Sequence, residues 1–168
     1  MRYANGDTTQ PFCSSPAVTG CLADGDYSFT VNASGASLAA VVNVISPATA
    51  MGYAANPAPS TKSWSPNVTR TLGGASGWTT PLVVQSVTAS TVTLNWYRFS
   101  DGALITTTTL SMAPGSATRV DPRTVSALAD DTQYSVVADG GAGTINGIVI
   151  ELATGGDNAM IYEAFTAP

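Results

Sequence analysis

The chain has 168 residues and a formal net charge of −5, with six lysine and arginine residues and no histidine. So few cations argue against nucleic-acid binding, because neutralising phosphates requires clustered lysine and arginine. Without histidine, the usual Ser-His-Asp and Cys-His catalytic arrangements are excluded. No apolar run approaches the roughly 20 residues of a membrane-spanning helix, so we expect no membrane span.

Thr, Ser, Ala, Val and Gly dominate the sequence, in which hydrophobic residues make up 44% and charged residues 10%. This composition is typical of short β-branched strands joined by tight turns. Because no segment combines helical periodicity with helix caps, we predict an all-β protein.

The two cysteines, Cys13 and Cys21, lie close together near the start of the chain. A disulfide between them would close a short loop, stabilise the fold by roughly 2–3 kcal/mol and indicate an oxidising compartment. The alternative is two free, buried thiols. No signal peptide follows Met1, so we interpret the chain as a fragment of a longer secreted protein.

Strands are predicted along the whole chain from alternation and turn signals. In the first third they are 26–32, 37–45 and 49–54, followed by a proline-rich linker at 56–60 and an extended segment at 62–72. The later candidates, at the spacing of a sandwich, are 81–88, 91–99, 103–112, 116–121, 133–138, 144–152 and 158–165. In the second of these, Val92, Leu94 and Trp96 form an apolar face, which predicts that Trp96 lies in the core.

One segment occurs twice in the chain. Tyr27 corresponds to Tyr134, Val42 to Val149 and Ile45 to Leu152 at one constant offset, and after a turn of different length 50–53 matches 159–162. The second copy also has a front part, 78–96, that the first copy lacks. Residues 62–72 could complete the first copy, the incomplete first copy could pack directly on the second copy, or a neighbouring chain could donate a strand. We favour packing within the chain.

Several stretches of the second copy are similar to tandem β-sandwich repeats of large bacterial exported and cell-surface proteins. They are 66–68 leading to 77–86, the hairpin at 97–102, and 110–116 before a strand that ends at Asp121-Pro122. The resemblance implies an immunoglobulin- or fibronectin III-like β-sandwich in about one and a half tandem repeats, and it brings no catalytic residues. We divide the chain into a partial repeat with the cystine loop at 1–58, a linker and leading strand at 59–76, and a complete repeat at 77–168.

Glu151 and Glu163 are the one candidate catalytic pair, because they fall on strands predicted to be adjacent and two carboxylates can hydrolyse a glycosidic bond. The alternative is that both point to solvent. The first copy has Val44 and Ala54 at these positions, so the fold does not need the carboxylates and we predict no enzyme activity.

Sugar binding requires aromatic faces beside polar groups. Trp64 and Trp78, which flank glycine- and proline-rich stretches, are the candidate platform, although interdomain packing is the alternative. Tyr27 and Tyr134 recur at one position in the repeat, which favours a core or tyrosine-corner role.

Acidic turns suggest a structural calcium ion as the one conceivable cofactor. They are Asp24 with Asp26 and Asp130 with Asp131. Turn formation is the alternative, because Asp side chains bond to their own backbone.

We therefore expect a non-catalytic extracellular or cell-surface module with a structural, adhesive or spacer role, whose partner is a protein or glycan at a surface. One alternative is a carbohydrate-binding accessory module of a secreted hydrolase. The other is a subunit of an extracellular filament that self-associates by strand donation through its incomplete first repeat.

Overall fold

A computed structural model describes residues 34–35, 39–45, 49–55, 58–153 and 159–166 of the chain. Within these residues the strands are β1 Val41–Ile45, β2 Ala50–Ala54, β3 Lys62–Arg70, β4 Leu82–Ser86, β5 Thr91–Arg98, β6 Leu104–Ser111, β7 Ala117–Val120, β8 Thr132–Asp139, β9 Ile145–Leu152, β10 Ala159–Glu163 and β11 Phe165–Thr166. A short 3-10 helix, Pro122–Thr124, follows β7.

The strands form two large antiparallel sheets and one hairpin. The four-stranded sheet has the order β10-β9-β4-β7, the five-stranded sheet has the order β11-β3-β8-β5-β6, and β1 pairs with β2. Buried side chains of both large sheets form one hydrophobic core. The prediction of an all-β sandwich is confirmed. In the part of the chain described, no helix is long and apolar enough to cross a membrane.

The alternation in β5 shows why these residues form a sandwich. Val92, Leu94 and Trp96 are all 0% exposed, while the residues between them are partly exposed. The Trp96 indole N–H donates to the hydroxyl of Thr108 on β6 at 3.0 Å, so its polar group is satisfied at the core boundary. The predicted core position of Trp96 is confirmed.

Most of the predicted strands match observed ones within a few residues, and the predicted strand at 26–32 lies outside the described residues. One prediction was wrong in detail. The single strand expected at 158–165 is interrupted at the buried Ala164, where the chain passes from the four-stranded to the five-stranded sheet. Phe165 then pairs with Trp64 of β3.

The predicted leading strand, β3, lies between β11 and β8 of the five-stranded sheet. Among the described strands it therefore pairs only within the second copy of the repeat. Its register with β8 shifts between Ser65 and Val68. Pro66, which lacks an N–H to donate, lies in this irregularity, where a sheet tolerates proline.

The repeated segment folds twice into a hairpin of the same register. In the first hairpin Val42 pairs with Tyr53, and in the second Val149 pairs with Tyr162. The next equivalent pairs agree as well, since Ile45 lies opposite Ala50 and Leu152 opposite Ala159. β2 lies beside β10. The described part of the first copy therefore packs directly on the second copy.

The strand order differs in one respect from that of an immunoglobulin domain. In an immunoglobulin domain one strand begins with the tyrosine corner, and the next strand along the chain lies in the same sheet as that strand. Here β9, which follows β8, pairs with β4 in the opposite sheet. The place beside β8 is taken by β3. The finer immunoglobulin or fibronectin III assignment stays a prediction.

Candidate functional site

The two candidate tryptophans lie far apart. Trp64 is near the start of β3, whereas Trp78 lies beyond its other end, where its backbone forms two hydrogen bonds with Leu72. The Thr69 hydroxyl donates to the Trp78 carbonyl at 3.0 Å. Thr69 lies five residues beyond Trp64 on β3, which is roughly 16 Å at the rise of an extended chain. The structure therefore does not bring Trp64 and Trp78 together into one platform.

Trp64 instead belongs to a row of side chains across the outer face of the five-stranded sheet. Opposite residues in an antiparallel sheet point to the same side, so strand pairing defines the row. This aromatic row consists of Phe165, Trp64, Val137, Asn95 and Thr107. Phe165 is 61% exposed and Trp64 is partly exposed. Two aromatic rings thus lie side by side at one end of the row.

The neighbouring row carries polar side chains. This polar row consists of Lys62, Asp139, Thr93 and Thr109. The Lys62 ammonium lies 3.1 Å from the Asp139 carboxylate, which also accepts the backbone N–H of Gly141 at 2.8 Å. The Gly141 N–H, followed by Lys62, holds the pKa of Asp139 below its usual value. Asp139 is therefore a carboxylate at neutral pH.

A cleft opens where the two rows meet the loops at one end of the sheet. The end cleft has a volume of about 720 Å³. Its lining includes Thr88, Ser90, Thr91, Thr93, Asn95, Asp139 and the backbone of 140–143. Asn95 accepts a hydrogen bond from Thr107 at 2.8 Å through its side-chain oxygen. Among the described residues its amide nitrogen has no acceptor, so this donor is available to a ligand.

The two candidate carboxylates Glu151 and Glu163 do not form a catalytic pair. Glu151 pairs with Met160, three positions before Glu163 on β10. Because successive residues of a strand alternate in direction, the two carboxylates point to opposite faces of the sheet. The alternative that both point to solvent is wrong for Glu151, which is 8% exposed.

Glu151 belongs to a hydrogen-bonded group around Asn67, which lies at the irregularity of β3. The Asn67 amide donates to Glu151 at 2.6 Å, and its side-chain oxygen accepts from Gln133 at 2.7 Å. The Tyr162 hydroxyl donates to the Asn67 backbone carbonyl at 2.9 Å. Burial raises the pKa of Glu151, and burial together with the Glu151 charge raises the pKa of Tyr162 to about 12. This group joins the two sheets and has a structural role.

The predicted calcium ligands Asp130 and Asp131 are occupied by donors of the protein. Asp130 accepts from the Arg70 guanidinium at 2.8 Å and from the Thr71 hydroxyl at 3.0 Å, and Asp131 accepts the backbone N–H of Gly73 at 2.7 Å. The guanidinium already on the Asp130 carboxylate disfavours a second cation there, and the calcium ion stays a prediction. No group of three or more potential metal ligands occurs in the described ranges.

The remaining candidate residues fall outside the described residues. They are Asp24, Asp26, Cys13 and Cys21. The disulfide and the first acidic turn therefore stay predictions.

The sequence pattern indicated Trp64 as a candidate. It did not indicate that Phe165, Asn95 and Asp139 lie on the same surface as Trp64. The polar phase of β5, which includes Thr93 and Asn95, was a usable signal. The pairing of Phe165 with Trp64 had none, because it depends on the sheet change at Ala164.

The comparisons with known proteins bear on the fold alone. No protein-family model matches the sequence, and no curated protein is significantly similar to it. The crystal structure of Thermotoga maritima 1070 matches with a TM-score of 0.50 and 9% sequence identity, covering 64% of this chain and 95% of its own. At this identity the likeness supports a shared fold and carries no function to this chain.

Proposed function

We propose that the protein is a non-catalytic repeat module of an exported or cell-surface protein, with a structural, adhesive or spacer role. The observation that carries this proposal is the repeated hairpin. Hairpins β1–β2 and β9–β10 have the same register, and β2 lies beside β10. Successive copies that pack on their neighbours are the way in which repeat proteins build extended arrays.

The contact between the copies involves a side chain of the first hairpin. Tyr53 of β2 is partly buried, and burial followed by the negative charge of Glu163 on β10 raises its pKa. A tyrosine at the equivalent place in the second hairpin, Tyr162, is likewise half-buried. The repeat therefore uses one aromatic position twice, once between the copies and once between the sheets.

The chemistry of the described residues supports a role without catalysis. The carboxylates of Glu151 and Glu163 point to opposite faces, and Glu151 is held by Asn67. A glycosidase mechanism would need two carboxyl groups that flank the scissile bond of one bound substrate, about 5 to 10 Å apart. The surface location is proposed from the resemblance of the second copy's sequence to repeats of bacterial exported proteins.

The location can be tested on the source cells. Antibodies raised against this chain should label intact, unpermeabilised cells or bind protein in the culture medium, and externally added protease should remove the cell-bound signal. Antibodies against a cytoplasmic protein serve as the control for lysis. Labelling that requires permeabilisation, like that of the control, would contradict the proposal.

A further inference from the structure

We infer that the outer face of the five-stranded sheet binds a neutral oligosaccharide, with the aromatic row as stacking platform and the end cleft as hydrogen-bonding pocket. This binding site goes beyond a structural role. Two aromatic rings lie at one end of the row, Phe165 mostly exposed and Trp64 partly exposed. Phe165 and Trp64 are cross-strand neighbours on the solvent side of the sheet. A sugar ring presents an apolar face of C–H groups that packs on such rings.

Phe165 contributes little to the hydrophobic core. It is 61% exposed, and a side chain of this size gains little from packing when most of it remains in water. β11 is an edge strand of the five-stranded sheet, and no described strand pairs with its outer side. The platform is therefore accessible to an extended chain of sugar rings.

The end cleft supplies polar groups of both kinds. The free amide of Asn95 is a donor, the Asp139 carboxylate is an acceptor, and the hydroxyls of Thr91 and Thr93 can act as either. Vicinal sugar hydroxyls need this combination of donors and acceptors. The cleft volume of about 720 Å³ lies within the range of small-molecule sites.

The spacing of the two parts sets the length of the ligand. Trp64 and Asn95 lie on strands separated by β8, so their backbones are roughly 10 Å apart at ordinary strand spacing. This separation exceeds a single pyranose ring. A ligand that contacts both parts therefore has at least two sugar units.

Charge favours a neutral ligand over an acidic one. The protein carries a net charge of −5, and the Lys62 ammonium on this face is already paired with Asp139. An acidic polysaccharide would be repelled by the protein as a whole and would find no unpaired cation in the polar row. Binding should accordingly be insensitive to salt, because it depends on stacking and hydrogen bonds.

The test is affinity electrophoresis and titration calorimetry of the full chain with neutral glucans, mannans, xylans and galactans, and with oligosaccharides of the polymer that retards it. We expect retardation by at least one of these polymers. Phe165→Ala should weaken binding about tenfold through loss of stacking, and Asn95→Ala should weaken it as well. Trp64→Ala should have a larger effect if circular dichroism shows that it folds.

Phe99→Ala is the matched control, because Phe99 is 56% exposed but lies in the turn at the other end of β5. It should leave affinity unchanged. The inference is overturned if none of the four polymers retards the protein, or if Phe165→Ala and Asn95→Ala bind as tightly as the wild type. Equal losses for Phe99→Ala and Phe165→Ala would also overturn it. None of these outcomes depends on where the protein is located in the cell.

Discussion

The phenol oxygen of Tyr134 accepts a hydrogen bond from the backbone N–H of Ala129, five residues earlier in the chain, at 2.7 Å. The hydroxyl also lies 3.3 Å from the carbonyl oxygen of the same residue, to which it donates. The Tyr134 side chain is 2% exposed. This is the arrangement of a tyrosine corner, and it ties the loop before β8 to the core.

Tyr134→Phe should lower the free energy of unfolding by about 1 kcal/mol, because it removes these hydrogen bonds and keeps the ring. Urea denaturation followed by tryptophan fluorescence measures the change. Tyr97→Phe is the control, since the Tyr97 hydroxyl has no hydrogen-bond partner within the described ranges. Equal effects of the two substitutions would show that the corner contributes nothing.

Glu151→Gln should stabilise the protein at neutral pH relative to the wild type. Burial raises the folded-state pKa of Glu151 above its unfolded-state value, which is about 4.3. Its favourable contribution is therefore complete below the unfolded-state pKa and is lost as the pH rises through the folded-state pKa. A glutamine at this position still offers a carbonyl oxygen to the Asn67 amide, and because it does not ionise it does not lose stability as the pH rises. The difference in unfolding free energy, variant minus wild type, should rise from pH 4 toward neutrality.

Asp130→Asn serves as the comparison, because its unfolding free energy relative to the wild type should change with pH in the opposite direction. The Arg70 guanidinium, followed by the Thr71 hydroxyl, lowers the pKa of Asp130. Its contribution is present above the unfolded-state pKa and is lost as the pH falls through the folded-state pKa. The variant should therefore be less stable than the wild type at neutral pH and approach it in acid. A Glu151→Gln curve of this same shape would contradict the assignment of burial as the dominant effect.

Gly143→Ala should destabilise the sandwich by about 3 kcal/mol through overpacking, because the added Cβ would clash with the backbone of Ala89. The three nearest atoms all belong to Ala89 and two of them are backbone, so no flexible side chain can move aside. Gly141→Ala meets open space but keeps a φ of +63°, so it should lose only about 1 kcal/mol. Thermal unfolding of both variants measures the contrast. A smaller loss for Gly143→Ala than for Gly141→Ala would contradict the close contact.

Strand β6 is a second surface with testable behaviour. Within the described ranges it pairs only with β5, and Leu104–Ser111 contains no charged residue or proline. An unguarded edge of this length favours pairing between copies, and antiparallel pairing places Thr opposite Thr. Sedimentation at increasing protein concentration should show weak association, which Thr107→Lys abolishes.

Val41→Lys adds the same charge on β1, where Val41 is 69% exposed, and should leave this association unchanged. If Val41→Lys suppresses association and Thr107→Lys does not, the first hairpin accepts the strand, as the filament alternative requires. A protein that stays monomeric at every concentration would contradict both arrangements.

Local patterns predicted most of the strands because a strand that is buried on one face alternates apolar and polar residues, as Val92, Leu94 and Trp96 do with the residues between them. The repeat matched Val42 with Val149 and Tyr53 with Tyr162, and these matched residues pair in two hairpins of the same register. The position of Glu151 was harder to predict, because β9 is apolar on both faces: Val149 shares the phase of Glu151, while Ile148 and Ile150 occupy the other phase. Alternation alone therefore gave no direction for its carboxylate.

The surface formed by Trp64, Phe165 and Asn95 depends on long-range pairing, which local pattern does not encode. The three residues come from different parts of the chain and meet only because β3 inserts beside β8 and the chain changes sheets at Ala164. No glycine or proline marks that change. The sequence thus predicted individual strands but not their neighbours in the five-stranded sheet.

The central claim is that the first hairpin packs on the second as one repeat packs on the next, and hydrogen exchange of the full chain tests it most directly. We expect amides of β1 and β2 to be protected, and Tyr53→Ala to increase exchange in β2 and β10 while leaving β6 unchanged. Exchange of the β1–β2 hairpin at unfolded-chain rates in the wild type, or a Tyr53→Ala variant with unaltered β10, would contradict the claim.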